Sequence, residues 1–232
     1  MLDRVVCINL DRRPERWEQF QRRLPADWPF GPVQRLPAVD GEQVELPAWY
    51  GGEWRNALAG AYGCLQSHLK AWRDAAAQGA CNLFVLEDDA VFAPDFSRQA
   101  QQLVSRVPDG WDQIYFGGQH LRTDERMPAP LRYEARVLRG CCVNRTHAYA
   151  VSSGGLAKLV QRFSEPWSAG RKEDWHVDHQ LGGMHWRGEL KAYCPLRWLV
   201  GQVMGIGDVS GCRYLSNLFW QEFPVSESPV PC

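Results

Sequence analysis

The sequence predicts an α/β fold: one domain whose mostly parallel central sheet is flanked by helices. Three observations lead there. Apolar, strand-like runs alternate with segments of helical periodicity along most of the chain. The run Leu83-Phe84-Val85-Leu86 after Asn82 is apolar without a break, the pattern of a strand covered on both faces. A chain of 232 residues, 45% hydrophobic and 23% charged, suffices for one sizeable core and is short for two. The domain is expected over residues 1–223, and 224–232, with its prolines, as a loose tail.

Val5 to Leu10 reads as a strand ended by Asp11-Arg12-Arg13-Pro14. Proline at an early helical position opens a helix with Trp17, Phe20 and Leu24 on one face. Val33 to Ala38 is a second strand, followed by a Val39-Asp40-Gly41 turn and a Gly- and Trp-rich loop. A helix is predicted over Ala59 to Gln78, with Leu65, Leu69, Trp72 and Ala76 at helical spacing and Gly79 as its stop. The apolar strand from Asn82 ends in Glu87-Asp88-Asp89. Beyond it come a helix over Asp95 to Val107, a strand at Gln113 to Phe116 closed by Gly117-Gly118, strands at Val137 to Val143 and His147 to Val151, a helix after Ser152-Ser153, and a short helix including Val177 to Leu181. Regularity fades after Tyr193.

Twenty-six Lys and Arg against 27 Asp and Glu leave a formal net charge of -1, which excludes a global electrostatic pull towards nucleic acid or anionic lipid. No stretch approaches the roughly 20 apolar residues of a membrane span, and charges at Asp3 and Arg4 interrupt any secretory signal, so a cytoplasmic protein is expected. Eight cysteines without repeated spacing or a Cys-x-x-Cys pair argue against a disulfide framework or zinc knuckle. The Asn144-Arg145-Thr146 sequon is then read as chance. Eleven tryptophans are far above ordinary usage; Trp49, Trp54, Trp111, Trp167, Trp175 and Trp186 lie in polar or Gly-rich surroundings, where flat rings serve either as anchors or as stacking surfaces for sugars.

Four clusters carry chemistry. Glu87, Asp88 and Asp89 follow a buried strand at the sheet edge where α/β folds collect ligands. Three adjacent carboxylates repel one another unless they are solvated or answered by a cation, and hard oxygen ligands suit Mn²⁺ or Mg²⁺. Gly60-Ala61-Tyr62-Gly63-Cys64-Leu65-Gln66-Ser67-His68 combines glycines that permit close approach with two polar residues, Ser67 and His68, inside an apolar run; a structural histidine is the alternative. Asp11, Arg12 and Arg13 with Arg16 place cations after the first strand, as a phosphate clamp or an exposed helix face. In Asp174-Trp175-His176-Val177-Asp178-His179, helical spacing puts Asp174 and Asp178 on one face and His176 and His179 on another; no His-Glu-x-x-His pattern supports zinc there, and a catalytic base or acceptor anchor is favoured.

Taken in order, Ile8-Asn9-Leu10-Asp11-Arg12-Arg13 with Arg16, Ala38-Val39-Asp40-Gly41, Gly63-Cys64 with Ser67-His68, Leu86-Glu87-Asp88-Asp89, His147-Ala148-Tyr149-Ala150-Val151-Ser152, and Val177-Asp178 before Leu181 resemble glycosyltransferase family 25, the group of lipopolysaccharide-type and collagen galactosyltransferases. The resemblance implies a GT-A-like (Rossmann-like) domain, a UDP-sugar donor and inversion at the anomeric carbon. It implies Glu87 and Asp89 as metal ligands with Asp88 beside them, Asp11, Arg12 and Arg13 near the nucleotide, and Asp40, Ser67 and His68 near the donor. Ala61, where the family commonly has Glu, and His179, where an acidic residue is usual, depart from the pattern.

The expected chemistry is transfer of a hexose, galactose or glucose, to a glycan or other hydroxyl acceptor, with Mn²⁺ or Mg²⁺ on the diphosphate and Asp178 as the base. Two other readings stand beside it: a metal-dependent phosphohydrolase of nucleotide-sugars using the same carboxylates, and a non-catalytic sugar-binding protein on the same fold.

Overall fold

The computed structural model describes residues 2, 4–47, 55–121, 130–164, 176–206, 209 and 213–214. The predicted tail, Asp174, and Trp49, Trp54, Trp167 and Trp175 lie outside the described residues. In chain order come β1 (Val5–Asn9), α1 (Pro14–Arg23), β2 (Val33–Pro37), α2 (Arg55–Ala77), β3 (Asn82–Glu87), β4 (Ala90–Phe92), α3 (Phe96–Arg106) and β5 (Gln113–His120). There follow β6 (Leu131–Glu134), β7 (Val137–Gly140), β8 (Val143–Ser152), α4 (Ser153–Ser164), α5 (Val177–Trp186), β9 (Ala192–Pro195) and β10 (Val200–Gln202).

The α/β class predicted from the sequence is the one observed. Eight strands form a sheet in the order β2-β1-β3-β8-β5-β9-β7-β6. The sheet is mixed: β1 runs parallel to β2 and β3, and β5 to β9, while β8 lies antiparallel between β3 and β5. Alternation along β3 shows why this strand is apolar throughout. Leu83 and Val85 face a core completed by Trp72 of α2, Leu156 and Leu159 of α4 and Leu181 of α5, whereas Phe84 and Leu86 face a second core with Phe20 of α1 and Phe96 of α3. Much of the tryptophan content is core. Trp72 is fully buried, and Trp28 stacks on Phe96 and Phe84 with centroids 5.4 and 5.9 Å apart.

Two departures from the sequence reading shape the site. β5 continues through Gly117-Gly118 instead of stopping, because these glycines serve close approach: a Cβ on Gly117 would fall 2.3 Å from the His147 ring, and one on Gly118 2.9 Å from Val143. Val143 to Ser152 is one strand, not the end of one and the start of another. It stays continuous by adopting φ 72° at Arg145, and its pairing with β5 shifts register between Asn144 and Ala148 and again between Ala148 and Tyr149. The short β4 and β10, three residues each and paired antiparallel, lay below the length at which periodicity speaks.

Burial also fixes a pH response. Burial pushes His120 down to about 4, His147 down to about 4 and His185 down to about 3, all below the ~6.5 of an exposed histidine. Each is neutral in the folded chain and takes up a proton on unfolding, so its contribution is complete above pH ~6.5 and is lost as pH falls towards the folded value. Asp89, described below, acts in the opposite sense between about pH 4 and 7, but it is one group against three. The melting temperature is therefore expected to fall steeply from pH 7 to pH 5. Thermal melts across that range, with His185→Gln flattening the slope, check this.

Candidate functional site

The carboxyl ends of the parallel strands β1 and β3 meet the amino-terminal half of β8 at one sheet edge, and a cleft of about 640 Å³ opens there. Glu87, Asp88 and Asp89 form its floor. Their carboxylates turn to different partners. Asp88 accepts from Asn9 Nδ2 at 2.7 Å and pairs with Arg16 at 3.4 Å, which ties the triplet to the end of β1. Glu87 Oε1 accepts from the Thr146 hydroxyl at 2.6 Å and lies 3.3 Å from His68 Nε2. Asp89 Oδ2 accepts from Gln202 at 3.0 Å, while its Oδ1 is buried with no hydrogen-bond partner.

These surroundings set the charges apart. Burial pushes the Glu87 carboxyl up, but the hydrogen bonds and charge of His68, with the Thr146 bond, prevail and hold it below the usual carboxylate range. Burial, followed by repulsion from Glu87 and Asp88, pushes Asp89 up to about 7 against the pull of Arg16 and Gln202. A buried carboxylate oxygen without a donor, beside two further carboxylates, fits a hard divalent cation: its charge would answer the repulsion and its coordination the unpaired lone pairs. Asp89 is thus the residue best placed to hold Mn²⁺ or Mg²⁺.

The walls are built around α2. Gly63 lets the 39–41 turn lie against the helix, since a Cβ there would fall 2.6 Å from both Val39 O and Gly41 N. Ser67 Oγ completes the junction, accepting from Val39 N at 2.9 Å and donating to Gly63 O at 2.6 Å. Asp40, carried by this turn, pairs with Arg12 at 2.8 Å. Gly63→Ala is expected to destabilise the chain by about 1–3 kcal/mol through overpacking, against the helix-propensity gain of about 1 kcal/mol; a drop in melting temperature is the expected signature. On the same helix, His68 Nδ1 lies 2.8 Å from the Tyr149 hydroxyl, which accepts from Trp72 Nε1 at 2.9 Å. His68 thus bridges the Tyr149 hydroxyl and the Glu87 carboxylate, its Nε2 facing Glu87.

At the opposite wall, Asp178 in the first turn of α5 accepts from Arg145 N at 3.1 Å and from His179 N at 2.9 Å. It thereby holds the left-handed Arg145, a conformation that costs a non-glycine residue roughly 1–3 kcal/mol. Of the residues singled out in the sequence, Arg12, Asp40, Ser67, His68, Glu87, Asp88, Asp89 and Asp178 line the cleft. Asp11 and Arg13 are not among the lining residues: Asp11 pairs with Arg35 at 2.6 Å and Arg13 with Glu15 at 2.6 Å, and Arg16 reaches the floor in their place.

A model of glycosyltransferase family 25 (LPS biosynthesis protein) matches residues 3–169, which takes in the β1 end, the α2 cluster, the acidic triplet and β8. The chain belongs to glycosyltransferase family 25. It is similar to a glycosyltransferase 25 family member of Aedes aegypti, 32% identical over 171 residues, 68% of this chain and 28% of that protein. It is similar to procollagen galactosyltransferase 1 of Danio rerio, 30% identical over 176 residues, 68% of this chain and 28% of the relative. A probable inactive glycosyltransferase 25 family member 3 of Bos taurus is 30% identical over 232 residues, 89% of this chain and 38% of its own length. The chain thus spans less than two fifths of each of these relatives.

Within this family 25 framework, both departures noted in the sequence lie at the cleft: Ala61, buried, and His179, exposed. Asn9, Thr146, Arg145 and Gln202 were missed as site residues. Thr146 lay hidden in the sequon, whose Asn144 is 2% exposed in β8 and has no room for a glycan. His185, nine residues beyond His176, is a core residue bonded to Val143 N and Gln113 Oε1. No tryptophan among the described residues lines the cleft; Trp111 packs on the second core and Trp186 is exposed at the end of α5. Among the described residues, no helix is long and apolar enough to cross a membrane.

Proposed function

We propose that this family 25 chain is a metal-dependent inverting transferase that moves a hexose from a UDP-sugar to a hydroxyl acceptor. The observation that carries the reading is Asp89 Oδ1, a buried acceptor without a donor on the floor of a cleft large enough for a nucleotide-sugar. Mn²⁺ or Mg²⁺ held through Asp89, with Glu87 or Asp88 assisting, would supply the positive charge that offsets developing charge on the leaving diphosphate. The chain's own residues do the rest. Arg12 and Arg16 border the β1 end of the cleft and would offer donors to phosphate or base edge, Asp40 would take the donor ribose or sugar, and Ser67 and His68, which line the same cleft, would hold the wall against it.

Asp178 is the candidate base. A carboxylate accepts about four hydrogen bonds, and the backbone takes two of Asp178's, leaving acceptor capacity at the cleft for an acceptor hydroxyl. Galactose or glucose is the hexose we favour, in keeping with the galactosyltransferases among the relatives, and a glycan is the favoured acceptor.

The relatives named inactive, together with Ala61 at the cleft, favour a second reading, a non-catalytic sugar-binding chain. Incubation with UDP-galactose and UDP-glucose, with Mn²⁺ or chelator and with or without a glycan acceptor, separates the readings. Metal-dependent UDP release that rises with acceptor supports transfer. Hydrolysis indifferent to acceptor marks a phosphohydrolase, and glycan binding without turnover marks the second reading.

A further inference from the structure

Two residues on the α2 face of the cleft have no part in the chemistry above beyond holding its wall. Cys64 and His68 stand one helical turn apart, at i and i+4, and both line the cleft. Across from them is Glu87, at the end of β3. One ligand atom from each, the Cys64 sulfur, a His68 ring nitrogen and a Glu87 oxygen, lie within 4.8 Å of one another. Among the described residues this is the one His, Cys, Asp and Glu trio so close together.

We propose that Cys64, His68 and Glu87 form a binding site for a thiophilic divalent cation, zinc, beside the hard-oxygen site at Asp89, which Asp88 rather than Glu87 then assists. A tetrahedral zinc ion places its ligand atoms roughly 3.3–3.8 Å apart, so shifts of about 1 Å bring these three into position. The donor set of sulfur, imidazole nitrogen and carboxylate selects zinc over manganese or magnesium, which prefer oxygen. The charge balances as well: a thiolate and a carboxylate neutralise the dication in a partly buried floor, the Cys64 proton leaves to solvent, and no redox change occurs. His68 is oriented for the task. Its Nδ1 already faces the Tyr149 hydroxyl at 2.8 Å, so with Nε2 on the metal the ring donates its other N–H to Tyr149, as metal-bound histidines do to a neighbouring acceptor. The fourth position opens to the cleft, and Glu87 Oε1 leaves its Thr146 contact to coordinate.

This site does not depend on the chain transferring sugar. The test is Co²⁺ titration of the metal-free full chain, read by the thiolate-to-cobalt charge-transfer band and by its displacement with Zn²⁺. A band that Zn²⁺ abolishes, that is lost in Cys64→Ser and His68→Gln, and that persists in Cys81→Ser and Asp89→Asn, is the expected result. No band in the native chain, a band that survives Cys64→Ser, or a band lost with Asp89→Asn overturns the proposal. If Cys64→Ser does not fold, Cys64→Ala and His68→Gln carry the same comparison, with Zn²⁺ expected to raise the melting temperature of the native chain but not of either variant.

Discussion

Asp89→Asn is expected to lower metal-dependent transfer by about 10²–10⁴-fold while leaving the metal-free chain as stable as before, or more so. The rate loss follows from the role proposed for Asp89 as the carboxylate that holds the cation, whose charge stabilisation is worth several kcal/mol at about 1.4 kcal/mol per decade. The stability effect has the opposite sign because burial and the flanking Glu87 and Asp88 already oppose a charge at Asp89, and Asn carries none. Initial rates at saturating UDP-sugar and melting curves with chelator measure the two effects on one variant. A loss of stability equal to that of a core substitution would instead mark Asp89 as a structural residue.

Asp178→Asn is expected to reduce kcat by about 10²–10⁴-fold, the range for loss of a general base. It also removes one of two backbone contacts, since an amide keeps a single acceptor oxygen, so a stability loss of about 1 kcal/mol should accompany it. Rate and stability separate the roles. A base leaves donor KM almost unchanged and removes the acidic limb of the pH–rate profile. A residue that only holds Arg145 in its left-handed conformation would alter KM and melting temperature together and leave the profile intact.

Much of the cleft was legible in the sequence because the carboxylates of its floor sit where a strand ends. The apolar run of β3 located Glu87-Asp88-Asp89, and the glycines of α2 announced a close approach, which proved to be that of the 39–41 turn. Side-chain direction was not legible. Asp11, Arg13 and Arg16 are neighbours in sequence, yet only Arg16 of the three reaches the cleft, because helix α1 begins at Pro14 and turns it inward. Nor were the distant partners legible. Asn9 meets Asp88 across 79 positions and Gln202 meets Asp89 across 113, in pairings that exist only once the sheet and β10 are in place. Arg145 is subtler. Its strained backbone breaks the regular alternation of β8, so the sequence read as two strands where the chain forms one bulged strand beside the cleft.

The claim at the centre of the account is that Asp89 holds a cation which in turn holds a nucleotide diphosphate. The most direct test is the melting temperature of the purified chain with UDP, with Mn²⁺, with both and with both plus chelator, in the native chain and in Asp89→Asn. The account predicts stabilisation by UDP and Mn²⁺ together that exceeds the sum of the two alone, is removed by chelator and is absent from the variant. Equal stabilisation by UDP in native and variant chains, with or without Mn²⁺, would contradict it.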